Sequence, residues 1–85
     1  MIRITSEQAT DGRIVLRVEG RLIGGSTTAL RDLIERHRAS GDALAVDLGG
    51  VGYADHEAIA FLRAERRRGT PLRNGTPFIT YALED

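Results

Sequence analysis

The 85 residues give room for one domain, since domains run to about 100–150 residues. Twelve basic residues balance twelve acidic ones, every basic residue is Arg, and Cys, Lys and Trp are absent. This composition excludes a disulfide framework, a thiolate metal site, a lysine nucleophile and an intact P-loop, and the zero net charge argues against a dedicated nucleic-acid binder.

The elements follow in chain order. Ile2 and Ile4 alternate with Arg3 and Thr5, which reads as a strand with one buried face. Asp11-Gly12 signals a turn, and Ile14, Leu16 and Val18 alternate after it as a second strand, antiparallel to the first. Residues 20–25 read as a glycine-spaced connection. Ser26, Thr27 and Thr28 offer N-caps for a helix over residues 27–39, with Leu30, Leu33, Ile34 and His37 on its apolar stripe and Gly41 as its stop. Ala43-Leu44-Ala45-Val46-Asp47-Leu48 reads as a central strand buried on both faces, with Gly49, Gly50 and Gly52 in the next loop.

Asp55 is the expected N-cap of a second helix, with Glu57 in its first turn and Gly69 at its end. Its last turns carry Arg63, Arg66, Arg67 and Arg68, which suit a helix C-terminus better than a nucleic acid because stacking aromatics are scarce. Residues 70–73 form a short strand, and Thr76-Pro77 caps a closing helix. The order β-β-α-β-α-β-α makes strands two to four parallel, in an α/β domain over residues 1–85. The expected core is Ile4, Ile14, Leu16, Val18, Leu30, Leu33, Ile34, Leu44, Val46, Leu48, Ile59, Leu62, Leu72, Phe78 and Leu83. The longest apolar runs are far shorter than the roughly 20 residues of a membrane span, so no membrane insertion and a cytoplasmic location are expected.

Gly20-Arg21-Leu22-Ile23-Gly24-Gly25-Ser26-Thr27 approaches P-loop spacing, but Ser26 stands where that loop needs its Lys. Weak anion or nucleotide binding at the N-terminus of helix one remains as an alternative. His37 and His56 lie on different helices, and no nucleophile, base and orienting group form a set, so neither metal, cofactor nor catalytic residues are assigned.

One stretch resembles a known family: Ala45-Val46-Asp47-Leu48-Gly49-Gly50-Val51-Gly52-Tyr53-Ala54-Asp55-His56-Glu57-Ala58-Ile59-Ala60-Phe61-Leu62 is similar to the STAS domain of anti-sigma factor antagonists and sulfate-transporter tails. Leu16-Arg17-Val18-Glu19-Gly20-Arg21-Leu22 and Gly75-Thr76-Pro77-Phe78 resemble further segments of that family. The resemblance implies a small STAS-like domain with a four-stranded mixed sheet. It implies a non-catalytic protein-binding module whose partner is an anti-sigma factor or sensor kinase of a bacterial cell. It places a regulatory serine after the Asp that opens helix two, where this chain has His56. Gly24, Ser26, Tyr53, Asp55, His56 and Glu57 are the expected partner-binding residues, because loops after parallel strands meet at one sheet end. The alternative is a cytoplasmic STAS subunit supporting the ATPase of a lipid-trafficking ABC transporter. Val15 and Ile23 are candidates for a homodimer contact.

Overall fold

The computed structural model describes residues 2–84. Its elements are β1 (Ile2–Gln8), β2 (Ile14–Leu22), α1 (Gly25–Ala39), β3 (Leu44–Ala54), α2 (His56–Arg67), β4 (Leu72–Arg73) and α3 (Pro77–Leu83). The strands form one sheet in the order β1-β2-β3-β4. β1 is antiparallel to β2, and β2, β3 and β4 are parallel, as the alternation of strands with helices predicts.

The sheet is covered on one face. Leu16, Val18, Leu22, Leu44, Val46 and Leu48 point into a single apolar cluster with Leu30 and Ile34 of α1, Ala58 and Leu62 of α2, and Ile79 and Leu83 of α3. Each fully buried Leu or Ile contributes about 1.5–3 kcal/mol. The residues between them on β2, Arg17, Glu19 and Arg21, are exposed. Charges on that open face neutralise one another across strands: Arg17 meets Glu7 at 3.0 Å and Asp47 at 4.0 Å. Such pairs contribute little stability but keep the face wet.

Several expectations change. In β3, Leu44, Ala45, Val46 and Leu48 are buried and Asp47 is half-buried, as expected of a strand covered on both faces, but Gly49, Gly50 and Tyr53 beyond them are exposed. The strand also continues through Gly49, Gly50 and Gly52 to Ala54 instead of ending in a loop. The reason at Gly50 is close approach: a Cβ there would lie 2.6 Å from Glu19 Cγ and 3.0 Å from the Val18 carbonyl oxygen. β2 likewise extends to Leu22, and the β2–β3 pairing absorbs two register shifts on the way. α1 starts at Gly25, with no side-chain cap, because its N-cap residue is Gly24, which has no side chain and takes φ 49° and ψ −121°. Phe78 is not core but 49% exposed, and Ile79 takes its place inside. Leu22 and Val51 also join the core, and so does Phe61 on the apolar face of α2. Val15 is half-buried. His37 does not close the stripe of α1; its Nδ1 lies 2.8 Å from an Asp42 carboxylate oxygen.

Charged side chains tie the helices together. Glu65 of α2 is 2% exposed. Arg38 of α1 donates to its Oε1 at 2.6 Å and to the Thr70 hydroxyl at 3.0 Å, and Thr70 donates to the same carboxylate oxygen at 3.1 Å. Arg68 reaches the other oxygen at 3.2 Å and Glu35 at 2.9 Å. The hydrogen bond to Glu35, then the charge of Glu65, raises the Arg68 guanidinium above its ordinary value. Arg63 donates to the Ala82 and Glu84 carbonyls at 2.8 and 3.1 Å, and Arg66 to the Leu83 carbonyl at 2.7 Å. The arginines at the end of α2 therefore satisfy the last carbonyls of α3, which a helix terminus otherwise leaves open.

Candidate functional site

The parallel pairing of β2 with β3 decides where the loops go. Leu22 pairs with Ala54, and the Asp55 amide donates to the Leu22 carbonyl at 3.1 Å. The β2–α1 turn and the start of α2 thus meet at the carboxyl end of the sheet, and the structure brings Gly24 and Ser26 to the same end as Tyr53, Asp55, His56 and Glu57.

Within this end the six residues do different things. Ser26 closes its own turn: its hydroxyl oxygen accepts the Ile23 amide at 2.8 Å and lies 2.8 and 2.7 Å from the Arg21 and Ile23 carbonyls. Gly24 allows the backbone geometry of that turn. Asp55 is the N-cap of α2, accepting the Ala58 amide at 2.9 Å. A cap of this kind stabilises by about 1 kcal/mol. His56 and Glu57 are both exposed but diverge. His56 lines a groove between α2 and α3, whereas Glu57 lines a separate groove between α1 and α2. Adjacent helix positions point about 100° apart, which follows from 3.6 residues per turn.

Tyr53 is 41% exposed and forms the centre of a stack. Its ring is nearly parallel to that of Phe78, at 12° with centroids 6.0 Å apart, and the Arg21 guanidinium carbon lies 5.2 Å from its centroid. Behind the stack the α2–α3 groove has a volume of about 420 Å³, lined by Tyr53, His56, Ile59, Ala60, Phe78 and Ala82 among others. Sequence reasoning missed Arg21 and Phe78. Strand parity could have found Arg21, since it shares the side of β2 that carries Arg17 and Glu19.

The segment with P-loop-like spacing does not form such a loop. Gly20, Arg21 and Leu22 belong to β2, and Leu22 is fully buried. Asp47 accepts from the Gly49 amide at 2.8 Å and the Asn74 side chain at 3.0 Å. Among the described residues, no group of three His, Asp or Glu side chains is placed to hold a metal. Nor is any helix among them long and apolar enough to cross a membrane.

A small α/β scaffold with one wet sheet face and an aromatic surface at the strand ends is the class defined by this geometry. The chain belongs to the family described as "Mlab, STAS domain", whose model matches residues 5–74. No protein of curated function matches it. Among solved structures it is similar to the STAS domain of an anti-sigma-factor antagonist from Rhodobacter sphaeroides. The identity is 24% and the TM-score 0.57, over 91% of this chain and 94% of that one. It is also similar to an uncharacterized protein with a SpoIIAA-like fold from Shewanella loihica PV-4. There the identity is 17% and the TM-score 0.57, over 84% of this chain but 61% of the other. These likenesses establish the STAS fold, with the four-stranded mixed sheet and three helices expected of it.

Proposed function

We propose that this STAS domain works by binding another protein, without catalysis, in the manner of the anti-sigma-factor antagonists it resembles. The partner is an anti-sigma factor or a sensor kinase-like protein in the cytoplasm of a bacterial cell. One observation carries the reading. The exposed large apolar side chains among the described residues are Ile23, Tyr53, Phe78 and Tyr81. Ile23 directly follows Leu22 at the sheet end, Phe78 stacks on Tyr53, and Tyr81 lies one helical turn beyond Phe78. Leaving Phe78 half exposed gives up part of the burial free energy an aromatic offers. Aromatics gathered on an exposed patch are the composition of an interface core.

His56 occupies the position to which the family resemblance assigns the regulatory serine, and Asp55-His56-Glu57-Ala58 contains no hydroxyl. Docking is then set by the state of the partner, with no phosphate on α2 to block it. A second reading is a constitutive subunit that supports the ATPase of a lipid-trafficking ABC transporter; that group of STAS subunits also tends to keep a hydroxyl near the Asp, so His56 departs from both patterns. Affinity capture from the native host with wild-type protein, Tyr53→Glu and Arg3→Glu, followed by mass spectrometry, tests both. An anti-sigma factor or kinase retained by wild type and Arg3→Glu but lost with Tyr53→Glu supports the first reading; a transporter ATPase in the same pattern supports the second. Identical captures by all three proteins refute docking at this end of the sheet.

A further inference from the structure

Two arginines lie over aromatic rings, and their settings differ. Arg31 covers Phe61, which is 9% exposed, so that contact completes the packing between α1 and α2. Arg21 covers Tyr53, which is exposed, and among the described residues it makes no ion pair. Arg21 reaches the ring from β2 on one side of β3, and Phe78 from α3 on the other. Tyr53 thus joins a guanidinium and a phenyl ring in one surface cluster.

We propose that Arg21 is the specificity anchor of the docking surface, and that the partner contributes a segment with a carboxylate beside an apolar side chain. This rests on the protein-binding reading above. A cation–π contact engages the charge of the guanidinium without using up its N–H donors, which stay available to an acceptor. Those donors match a carboxylate, which they grip through two parallel hydrogen bonds. The ring holds the guanidinium before the partner arrives, so little side-chain freedom is lost on binding. The neighbouring α2–α3 groove, with Tyr53, Ile59, Phe78 and Ala82 in its lining, takes the apolar side chain.

Charge favours the same occupant. Arg63 and Asp55 are the charged residues lining the groove and offset one another, Asp55 accepting the Ala58 amide and Arg63 donating to the Ala82 and Glu84 carbonyls. The N-terminus of α2 adds partial positive charge at the mouth. Glu57, the nearest further acid in sequence, lines the other groove. Arg21, which makes no ion pair among the described residues, leaves one positive charge at the stack, although the whole chain has net charge zero. An acidic segment is therefore attracted and a basic one repelled.

A phage-displayed library of random linear peptides, panned on the immobilised full chain, tests the proposal. Selected peptides are then titrated by fluorescence polarisation against wild type, Arg21→Gln, Arg21→Glu, Tyr53→Ser and Arg3→Glu. Circular dichroism verifies that each variant is folded. Asp or Glu beside an aromatic or aliphatic residue should dominate the selected peptides. Arg21→Gln should weaken them about tenfold or more, since a single charge-assisted hydrogen bond is already worth that much, Arg21→Glu should weaken them further through repulsion, and Arg3→Glu should not weaken them. Replacing the peptide acid with Lys should recover binding to Arg21→Glu. Peptides that require Tyr53 but show no acidic preference overturn the role of Arg21 while leaving the docking surface standing. Peptides indifferent to both Arg21 and Tyr53 overturn the surface as well, and a failure to enrich any peptide counts against the segment proposed. Sedimentation showing self-association abolished by Tyr53→Ser would identify a second copy as the occupant and overturn the proposal.

Discussion

Replacing Arg38 with Met removes the closest cation from Glu65, a carboxylate that is 2% exposed. The Arg38 contact is 2.6 Å long, and its side chain is 30% exposed, so solvent screens it weakly. Two unit charges about 4 Å apart at an effective dielectric near 20 attract by about 4 kcal/mol. Breaking a buried pair from one side costs roughly 3–5 kcal/mol. Arg68 remains 3.2 Å from the other oxygen but is 46% exposed, so it compensates only in part. The expected loss is therefore about 3 kcal/mol, out of a total near 4–13 kcal/mol for a domain of this size. Thermal unfolding should fall by roughly 15 °C, at about 4–8 °C per kcal/mol. The triple variant Arg38→Met, Glu65→Met, Thr70→Val removes every member of the triad together and should return to within about 1 kcal/mol of wild type, since apolar replacements of buried ion pairs are often neutral. Urea titration followed by circular dichroism measures both. A loss under about 1 kcal/mol for Arg38→Met, or a triple variant less stable than Arg38→Met, would refute the argument that burial makes this pair costly to break.

Three further expectations concern single positions. Thr27 is 3% exposed and its hydroxyl has no hydrogen-bond partner among the described residues, so Thr27→Val should stabilise the fold by about 1 kcal/mol in urea titration, and a loss of stability would contradict the cost assigned to that hydroxyl. Gly50→Ala forces a methyl group against the Val18 carbonyl at 3.0 Å, whereas Gly52→Ala meets nothing within 4 Å. The first should lower stability by about 1–3 kcal/mol and the second by almost nothing, with equal midpoints for the two showing that β3 approaches β2 less closely than described. Asp55→Ala should cost about 1 kcal/mol through the lost α2 cap, and hydrogen exchange at the Ala58 amide should accelerate.

Much of the fold is legible in the residues because burial follows period. The alternation in Ile14, Leu16 and Val18 specifies β2, and Asp55 with Ala58, Ile59, Phe61 and Leu62 specifies α2. The far end of β3 is not legible in that way. Gly49, Gly50 and Gly52 read as a loop, yet Gly50 is glycine because the β2 backbone comes too close for a side chain. Phe78 and Ile79 are adjacent in a helix of seven residues, too short for spacing to tell which one faces inward. The meeting of the β2–α1 turn with Asp55 follows from parallel strands, so the general location of the site is foreseeable. Its working edge is less so. Arg21 and Phe78 join Tyr53 through tertiary stacking, which leaves no periodic trace. The arginines of α2 looked like partners of their own helix terminus, and Arg63 and Arg66 turned out to hold another one.

That last arrangement has a bearing on how the surface can change. Arg63 and Arg66 grip carbonyl groups of residues 82–84, and every residue type supplies a carbonyl. The seat of α3 is thus blind to the identity of the side chains that α3 displays. Tyr81, which is 79% exposed, can be exchanged for other residues without loosening the helix that carries it, whereas replacing Phe78 also gives up its stack on Tyr53. Mutation can redraw the face shown to a partner while its mounting stays intact, so a lineage can change partners here without first having to repair its fold.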